Sequence, residues 1–110
     1  MSTKYKATVV GEAYFITITT VGWVDVFTRL QQRYILIDSL KYCQKERGLE
    51  IYAYCIMSSH IHLLCKGLES ETLASIIRDF KKFTSKKIVQ TIIEFPESRR
   101  EWMLEYFKEA

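Results

Sequence analysis

The sequence predicts an α+β fold, in which an antiparallel sheet carries helices on one face. Three observations support this class. Residues 13–20 alternate two kinds of side chain as a two-faced strand does, and residues 50–66 are rich in strand-forming residues. Residues 31–47 and 70–92 instead repeat apolar side chains at helical spacing. The order strand, helix, strand, strand, helix, helix fits a ferredoxin-like or RRM-like sandwich.

The first half of the chain contains one strand and one helix. After the strand of residues 13–20 comes a turn or short strand, with Trp23 and Phe27 as core or rim aromatics. The helix of residues 31–47 ends at Gly48, where a left-handed cap is expected. Its apolar stripe consists of Tyr34, Ile35, Ile37, Leu40 and Cys43.

The second half begins with two strands, residues 50–57 and 60–66, which we expect to pair as neighbours, in a hairpin. A long helix then starts after Ser70, a suitable N-cap, and Pro96 separates it from a last helix over residues 97–107. The long helix repeats apolar or small side chains at Leu73, Ile76, Ile77, Phe80, Phe83, Thr84, Ile88 and Ile92.

A ferredoxin-like sheet needs a fourth strand near the C-terminus, and no strand pattern follows Phe95. We therefore expect residues 4–10 or a partner chain to complete the sheet, or the chain to be a fragment. A length of 110 residues and a hydrophobic fraction of 48% predict a single domain over residues 1–110.

Composition narrows the class of partner. The net charge of +3 is a mild basic excess, which permits nucleic-acid binding without requiring it. No stretch reaches the roughly 18 to 20 apolar residues of a membrane span, and the N-terminus lacks the apolar region of a signal peptide. Three cysteines form no C-x-x-C pair. These observations favour a cytoplasmic protein with no membrane partner and with cysteines that mostly pack as small apolar side chains.

The two histidines of the chain, His60 and His62, are separated by one residue within a predicted strand. Side chains two apart on a strand project from the same face, so the two imidazoles are held side by side. Two such ligands are half of a metal site. Cys65 falls on the opposite strand face and is a poor third ligand. Alternatively, the histidines are rim residues that bond to backbone carbonyls.

The segment from Tyr54 to Leu64, YCIMSSHIHLL, resembles the His-hydrophobic-His strand of the HUH endonucleases. It is most similar to the single-tyrosine transposases of small insertion sequences and their REP-associated relatives. Those proteins show Met-Pro-Asn before the first histidine, and Ser58-Ser59 stands here in place of Pro-Asn. The early strand, the aromatic turn and the Lys-rich helix are also similar, so the resemblance extends over residues 14–92.

The resemblance implies an HUH fold and a metal-dependent nuclease that cleaves and rejoins single-stranded or hairpin DNA. His60 and His62 would hold Mg²⁺ or Mn²⁺, and a tyrosine would form a 5′-phosphotyrosine link. After His62 the sequence has one tyrosine, Tyr106, 44 residues downstream, a shorter spacing than the family usually has. Tyr106 is thus a candidate nucleophile, although we expect more strongly that the chain lacks the catalytic helix. Family members often dimerise, which makes a second copy a further partner.

Five basic residues cluster on the long helix: Arg78, Lys81, Lys82, Lys86 and Lys87. Such a cluster is commonly a solvated helix face, but beside a histidine strand it predicts a surface that follows DNA phosphates. Tyr52 and Tyr54 are two apart on a strand and are candidates to stack on bases. Ile56 continues their face, which favours burial instead.

Two other functions fit the sequence. One is a nucleic-acid-binding module, or transposase remnant, that recognises hairpins without cutting them. The other is a ferredoxin-like structural or regulatory domain in which His60 and His62 only pack.

Overall fold

The computed structural model describes residues 12–68, 72–95 and 97–109. Within these ranges the elements follow the order that the sequence predicts. The strands are β1 (Ala13–Thr19), β2 (Leu49–Ile56) and β3 (His60–Gly67), and the helices are α1 (Leu30–Glu46), α2 (Leu73–Glu94) and α3 (Arg100–Glu109). Two short 3₁₀ turns, Val21–Trp23 and Val26–Thr28, connect β1 to α1.

The three strands form one antiparallel sheet with β3 in the centre, in the order β1-β3-β2. β2 and β3 pair as the predicted hairpin. In the register, His62 lies between Thr17 of β1 and Cys55 of β2. Residues 4–10, one of the segments proposed to complete the sheet, lie outside the described residues.

One face of the sheet is apolar and carries the helices. Alternate residues of β1 and β3 are buried there: Ile16, Ile18, Ile61, Leu63 and Cys65. They form one core with the inner faces of α1 and α2. Each of these isoleucine and leucine side chains stabilises the fold by roughly 1.5–3 kcal/mol through removal from water. The structure has the predicted antiparallel sheet with helices on one face, which confirms the α+β class. This arrangement is consistent with a ferredoxin-like fold.

Helix α1 buries Leu40 and Cys43 of the predicted stripe and packs Ile35 against the core, but it also buries Leu36 and leaves Tyr34 outside. Leu36 is fully buried with Leu40 and Cys43, whereas Tyr34 is 57% exposed. The helix rotates to place Leu36 in the core because a tyrosine tolerates the surface, where its hydroxyl meets water. Gly48 has φ +67°, as expected for the left-handed residue after the helix.

Helix α2 starts at Leu73, and its N-cap is Thr72, whose hydroxyl accepts the N–H of Ser75 at 3.2 Å. Ser70, the N-cap expected from sequence, lies outside the described residues. The predicted stripe of α2 is confirmed except at Phe83, which is exposed. Helix α3 begins at Arg100, three residues later than predicted. In the described ranges, no helix has both the length and the apolar character of a membrane span.

Tyr52 forms a β-bulge in β2. The pairing with β3 shifts between Ile51 and Ala53, so Tyr52 is the extra residue. Because a bulge reverses the alternation of faces, Tyr52 and Tyr54 lie on opposite faces of the sheet. Tyr52 lies beside Lys66, and the Lys66 ammonium is 5.9 Å from the centre of the Tyr52 ring. The expectation that Tyr52 and Tyr54 share a buried face is wrong. Both are exposed, and Tyr54 instead pairs with Leu63, which points to the helices.

Candidate functional site

His60 and His62 project from the open face of the sheet, opposite the helices. Ile61, between them, is fully buried on the other face. The two imidazole centres are 4.7 Å apart, and the ring planes are inclined by 79°. The prediction that the two rings stand side by side is confirmed. Both are half-buried, so they lie in the surface and not in the core.

A hydroxyl lies close to the Nδ1 atom of each histidine. Thr17 Oγ1 is 3.0 Å from His62 Nδ1, and Ser59 Oγ is 3.3 Å from His60 Nδ1. Thr17 occupies this position because it is paired with His62 in the adjacent strand. When Nδ1 carries the proton and donates it to the hydroxyl, the lone pair is on Nε2. In metal-binding imidazoles the other ring nitrogen likewise donates to a hydrogen-bond acceptor, most often a carboxylate, a backbone carbonyl or water.

The described residues contain no group of three or more His, Cys, Asp or Glu side chains that could hold a metal ion. Cys65 is fully buried on the helix side, and burial raises the pKa of its thiol to about 11. It therefore stays protonated and does not belong to the histidine site. Cys55 lies opposite His62 in β2, and its thiol is 3.5 Å from the sulfur of Met57. Two imidazoles do not complete a metal shell, so an ion held here would take its other ligands from water or from a bound ligand.

An aromatic ring lies on each side of the histidine pair. The Trp23 ring meets His60 edge-on, with centres 5.5 Å apart. Phe15 stacks on His62 at the same centre distance, with the planes inclined by 24°. Trp23 was expected to be a core or rim aromatic, but it is 67% exposed, while Phe27 is buried.

The turn that carries Trp23 is tied to the β2–β3 connection. The N–H of Thr20 donates to the carbonyl of Ser59, and the N–H of Phe27 donates to the carbonyl of Ser58, both at 2.9 Å. The Thr20 hydroxyl also closes the turn by donating to the carbonyl of Val24 at 2.6 Å. The turn therefore has a fixed position next to the start of β3, where His60 lies.

Tyr106 of α3 reaches this turn. Its phenol hydroxyl lies against Gly22, so closely that a Cβ at Gly22 would collide with it. Gly22 precedes Trp23, and Trp23 contacts His60. The structure thus places Tyr106 on the turn that carries Trp23, although the two are far apart in the sequence. The glycine at position 22 indicates that another group approaches the loop closely, but the sequence does not show which side chain it is.

Arg99 fastens α3 to the same turn. One guanidinium nitrogen donates to the backbone carbonyl and the carboxylate of Asp25, at 2.7 and 2.8 Å. Another donates to Glu97 at 2.7 Å, and the side chain is only 14% exposed. Glu97 is also 3.7 Å from Arg29. This ion-pair group holds the start of α3 and therefore helps to fix the position of Tyr106 near Gly22.

Replacing Gly22 with alanine is expected to lower the free energy of unfolding by roughly 2–4 kcal/mol. About 1–2 kcal/mol comes from a Cβ at φ +62°, and the rest from its collision with Tyr106. Urea denaturation measures the change. In a Tyr106→Ala background the collision disappears, so Gly22→Ala should lower the free energy of unfolding only by the amount due to the left-handed backbone. An equal loss in both backgrounds would show that Tyr106 does not pack on Gly22.

The basic residues of α2 do not join the histidines. Arg78, Lys81, Lys82, Lys86 and Lys87 lie in the helical layer, on the other side of the sheet from His60 and His62. Four of the five are exposed, and Lys81 is half-buried. Asp79, in their midst, contacts Arg47 at 3.0 Å and Arg78 at 3.3 Å. The contact with Arg47, followed by that with Arg78, lowers the pKa of the Asp79 carboxyl.

Comparison with known proteins gives one family. The model of the family described as "Transposase IS200 like" matches residues 13–109, from the first residue of β1 to the last residue of α3. The match includes both histidines, the aromatic turn and Tyr106. Neither the curated proteins nor the solved structures give a match.

Proposed function

Because the chain belongs to the IS200-like transposase family and so has a transposase-like role, we propose that it cleaves and rejoins single-stranded DNA with the help of a divalent metal ion. The observation that carries the proposal is the pair of imidazoles on the open face, each with a hydroxyl at Nδ1. With Nδ1 protonated in both rings, each would have its Nε2 lone pair free for a ligand.

His60 and His62 would hold Mg²⁺ or Mn²⁺. Thr17 and Ser59 fit this role, because each hydroxyl can accept a hydrogen bond from Nδ1–H and so leave the lone pair on Nε2. When bound, the ion would polarise the scissile phosphate and offset its negative charge. The strand itself fixes the two rings before DNA arrives, since Ile61 between them is anchored in the core.

Tyr106 is the proposed nucleophile. Its hydroxyl oxygen would form a bond to the phosphorus while the bond from phosphorus to the 3′ oxygen breaks. The phenol loses its proton to solvent, and the departing 3′ oxygen gains one, which leaves a 5′-phosphotyrosine and a free 3′-OH. The reverse attack by a 3′-OH rejoins the strand. Support comes from the contact of Tyr106 with Gly22, next to the residue that touches His60.

The test uses the wild-type chain, Mn²⁺ and a labelled single-stranded oligonucleotide with a hairpin. We expect a protein–DNA adduct that survives a denaturing gel and disappears when EDTA removes the metal. Failure to form an adduct with a panel of hairpins and flanking sequences, in Mn²⁺ and in Mg²⁺, would contradict the proposal.

A second candidate function is binding of DNA hairpins without cleavage. The basic surface of α2 favours it, because five cations in the helical layer suit a duplex stem and lie away from the histidines. Salt-sensitive hairpin binding without any adduct would select this candidate. Both functions include the same proposed contact between α2 and the stem.

Substituting Lys82 and Lys86 together by alanine should weaken hairpin binding and make it less dependent on salt. Each lost phosphate contact should reduce the slope of log affinity against log salt by about 0.9. Fluorescence anisotropy at several salt concentrations measures the slope. Lys41→Ala with Lys45→Ala is the matched control, since these lysines are also exposed and lie on α1. The same slope change in both pairs would remove α2 from the DNA-binding surface.

A further inference from the structure

Two exposed aromatic rings, Trp23 and Phe15, lie on either side of the histidine pair. We propose that they stack on unpaired nucleobases, one on each side of the phosphate that the histidines receive. This inference rests on the proposed function, because it takes single-stranded DNA as the ligand. It assigns Trp23 and Phe15 to positioning that DNA.

Trp23 is held in an unusual conformation. Its φ is +59°, in the left-handed region that a bulky side chain rarely adopts, and Gly22 before it has φ +62°. Strain of this kind persists where the surrounding structure imposes it, and it is concentrated at functional sites. Here the two left-handed residues direct the indole to His60 while 67% of the side chain stays exposed.

Phe15 presents a ring from the opposite side of the pair. It is 65% exposed, and it stacks on His62. Leu64 of β3 pairs with Phe15 and is also exposed, so the apolar surface extends beyond the phenyl ring. The helices cover one face of the sheet, and Phe15 is exposed on the other. Its ring offers apolar surface that a flat, apolar ligand would cover.

The sequence of groups along this face identifies the occupant. An apolar ring, two imidazoles with polar nitrogen atoms and a second apolar ring follow one another. Single-stranded DNA has the same alternation, since a charged phosphate separates two bases with apolar faces. Lys66, farther along β3 on the same face, supplies a cation for the backbone, although Glu50 lies opposite it in β2.

The experiment measures binding of two oligonucleotides of equal length and charge in EDTA, one with bases and one fully abasic. We expect the wild type to prefer the oligonucleotide with bases. Trp23→Ala and Phe15→Ala should each weaken its binding roughly tenfold and leave the binding of the abasic one unchanged. Trp23→Phe should keep most of the affinity. Tyr34→Ala, at an equally exposed tyrosine of α1, is the matched control and should change neither.

Tryptophan fluorescence gives a second readout. The chain has two tryptophans, so Trp102→Phe leaves Trp23 as the sole emitter. The oligonucleotide with bases should quench its emission, and the abasic one should not. Because both aromatic side chains are mostly exposed, their variants should fold like the wild type, and circular dichroism checks this.

The outcomes separate stacking from cleavage. Unchanged binding by the Trp23 and Phe15 variants, equal binding of both oligonucleotides by the wild type, or no binding at all would overturn the inference. Wild-type adduct formation in the first two cases would leave the proposed function standing. Conversely, base-dependent binding that requires Trp23 and Phe15, with no adduct under any condition, would support stacking and count against cleavage.

Discussion

Tyr106→Phe is expected to abolish the covalent protein–DNA adduct, a loss of at least about a thousandfold. The substitution removes only the hydroxyl that would attack the phosphorus, and an enzyme without its nucleophile loses the covalent pathway altogether. The phenyl ring can keep its packing in α3, so the fold should persist. The adduct is quantified on a denaturing gel with a labelled oligonucleotide.

The control for this variant is Tyr34→Phe, which deletes a hydroxyl from an exposed tyrosine of α1. It should form the adduct like the wild type. Hairpin binding by Tyr106→Phe should also be retained, since the hydroxyl acts in the chemical step. An undiminished adduct in Tyr106→Phe would reject this tyrosine and assign the nucleophile to another residue of the chain.

His60→Ala and His62→Ala are expected to remove metal-dependent cleavage. Deleting a supporting group around a metal ligand typically lowers affinity or activity about 10- to 100-fold, and loss of a ligand itself should exceed this. Each variant leaves one imidazole, which is too few protein ligands to retain the ion against water. Neither side chain belongs to the apolar core, so we expect the folded structure to survive.

Metal binding itself is the better measurement for these variants, because it does not depend on DNA. Electron paramagnetic resonance titration with Mn²⁺ should show binding by the wild type and little by either variant. Tyr52→Ala, on the same sheet face beside Lys66, is the control and should bind like the wild type. Equal Mn²⁺ binding by the wild type and both histidine variants would reject the ligand assignment.

The parts of the fold that depend on local pattern could be predicted from the sequence. Ile16 and Ile18 alternate with Phe15, Thr17 and Thr19, and that period of two separates the buried face of β1 from the open one. The same period places His60 and His62 together on the open face. Gly48 follows α1 because a left-handed residue is needed after the helix, and the glycine itself marks this position in the sequence.

The parts of the fold that depend on tertiary packing could not be predicted from the sequence. Leu36 rather than Tyr34 enters the core because α1 rotates to fit the sheet, and the bulge at Tyr52 depends on its pairing with β3. The approach of Tyr106 to Gly22 joins two distant segments, so no local pattern encodes it. The basic side of α2 faces away from the histidines because its apolar side packs on the sheet.

The central claim is that Tyr106 attacks DNA beside a metal held by His60 and His62. Its most direct test is peptide mapping of the wild-type adduct formed in Mn²⁺. Trypsin cuts after Arg100 and Lys108, and the peptide of residues 101–108 contains Tyr106 as its one tyrosine. We expect the nucleotide mass on this peptide, at Tyr106. An adduct on any other tyrosine, or no adduct, would contradict the account.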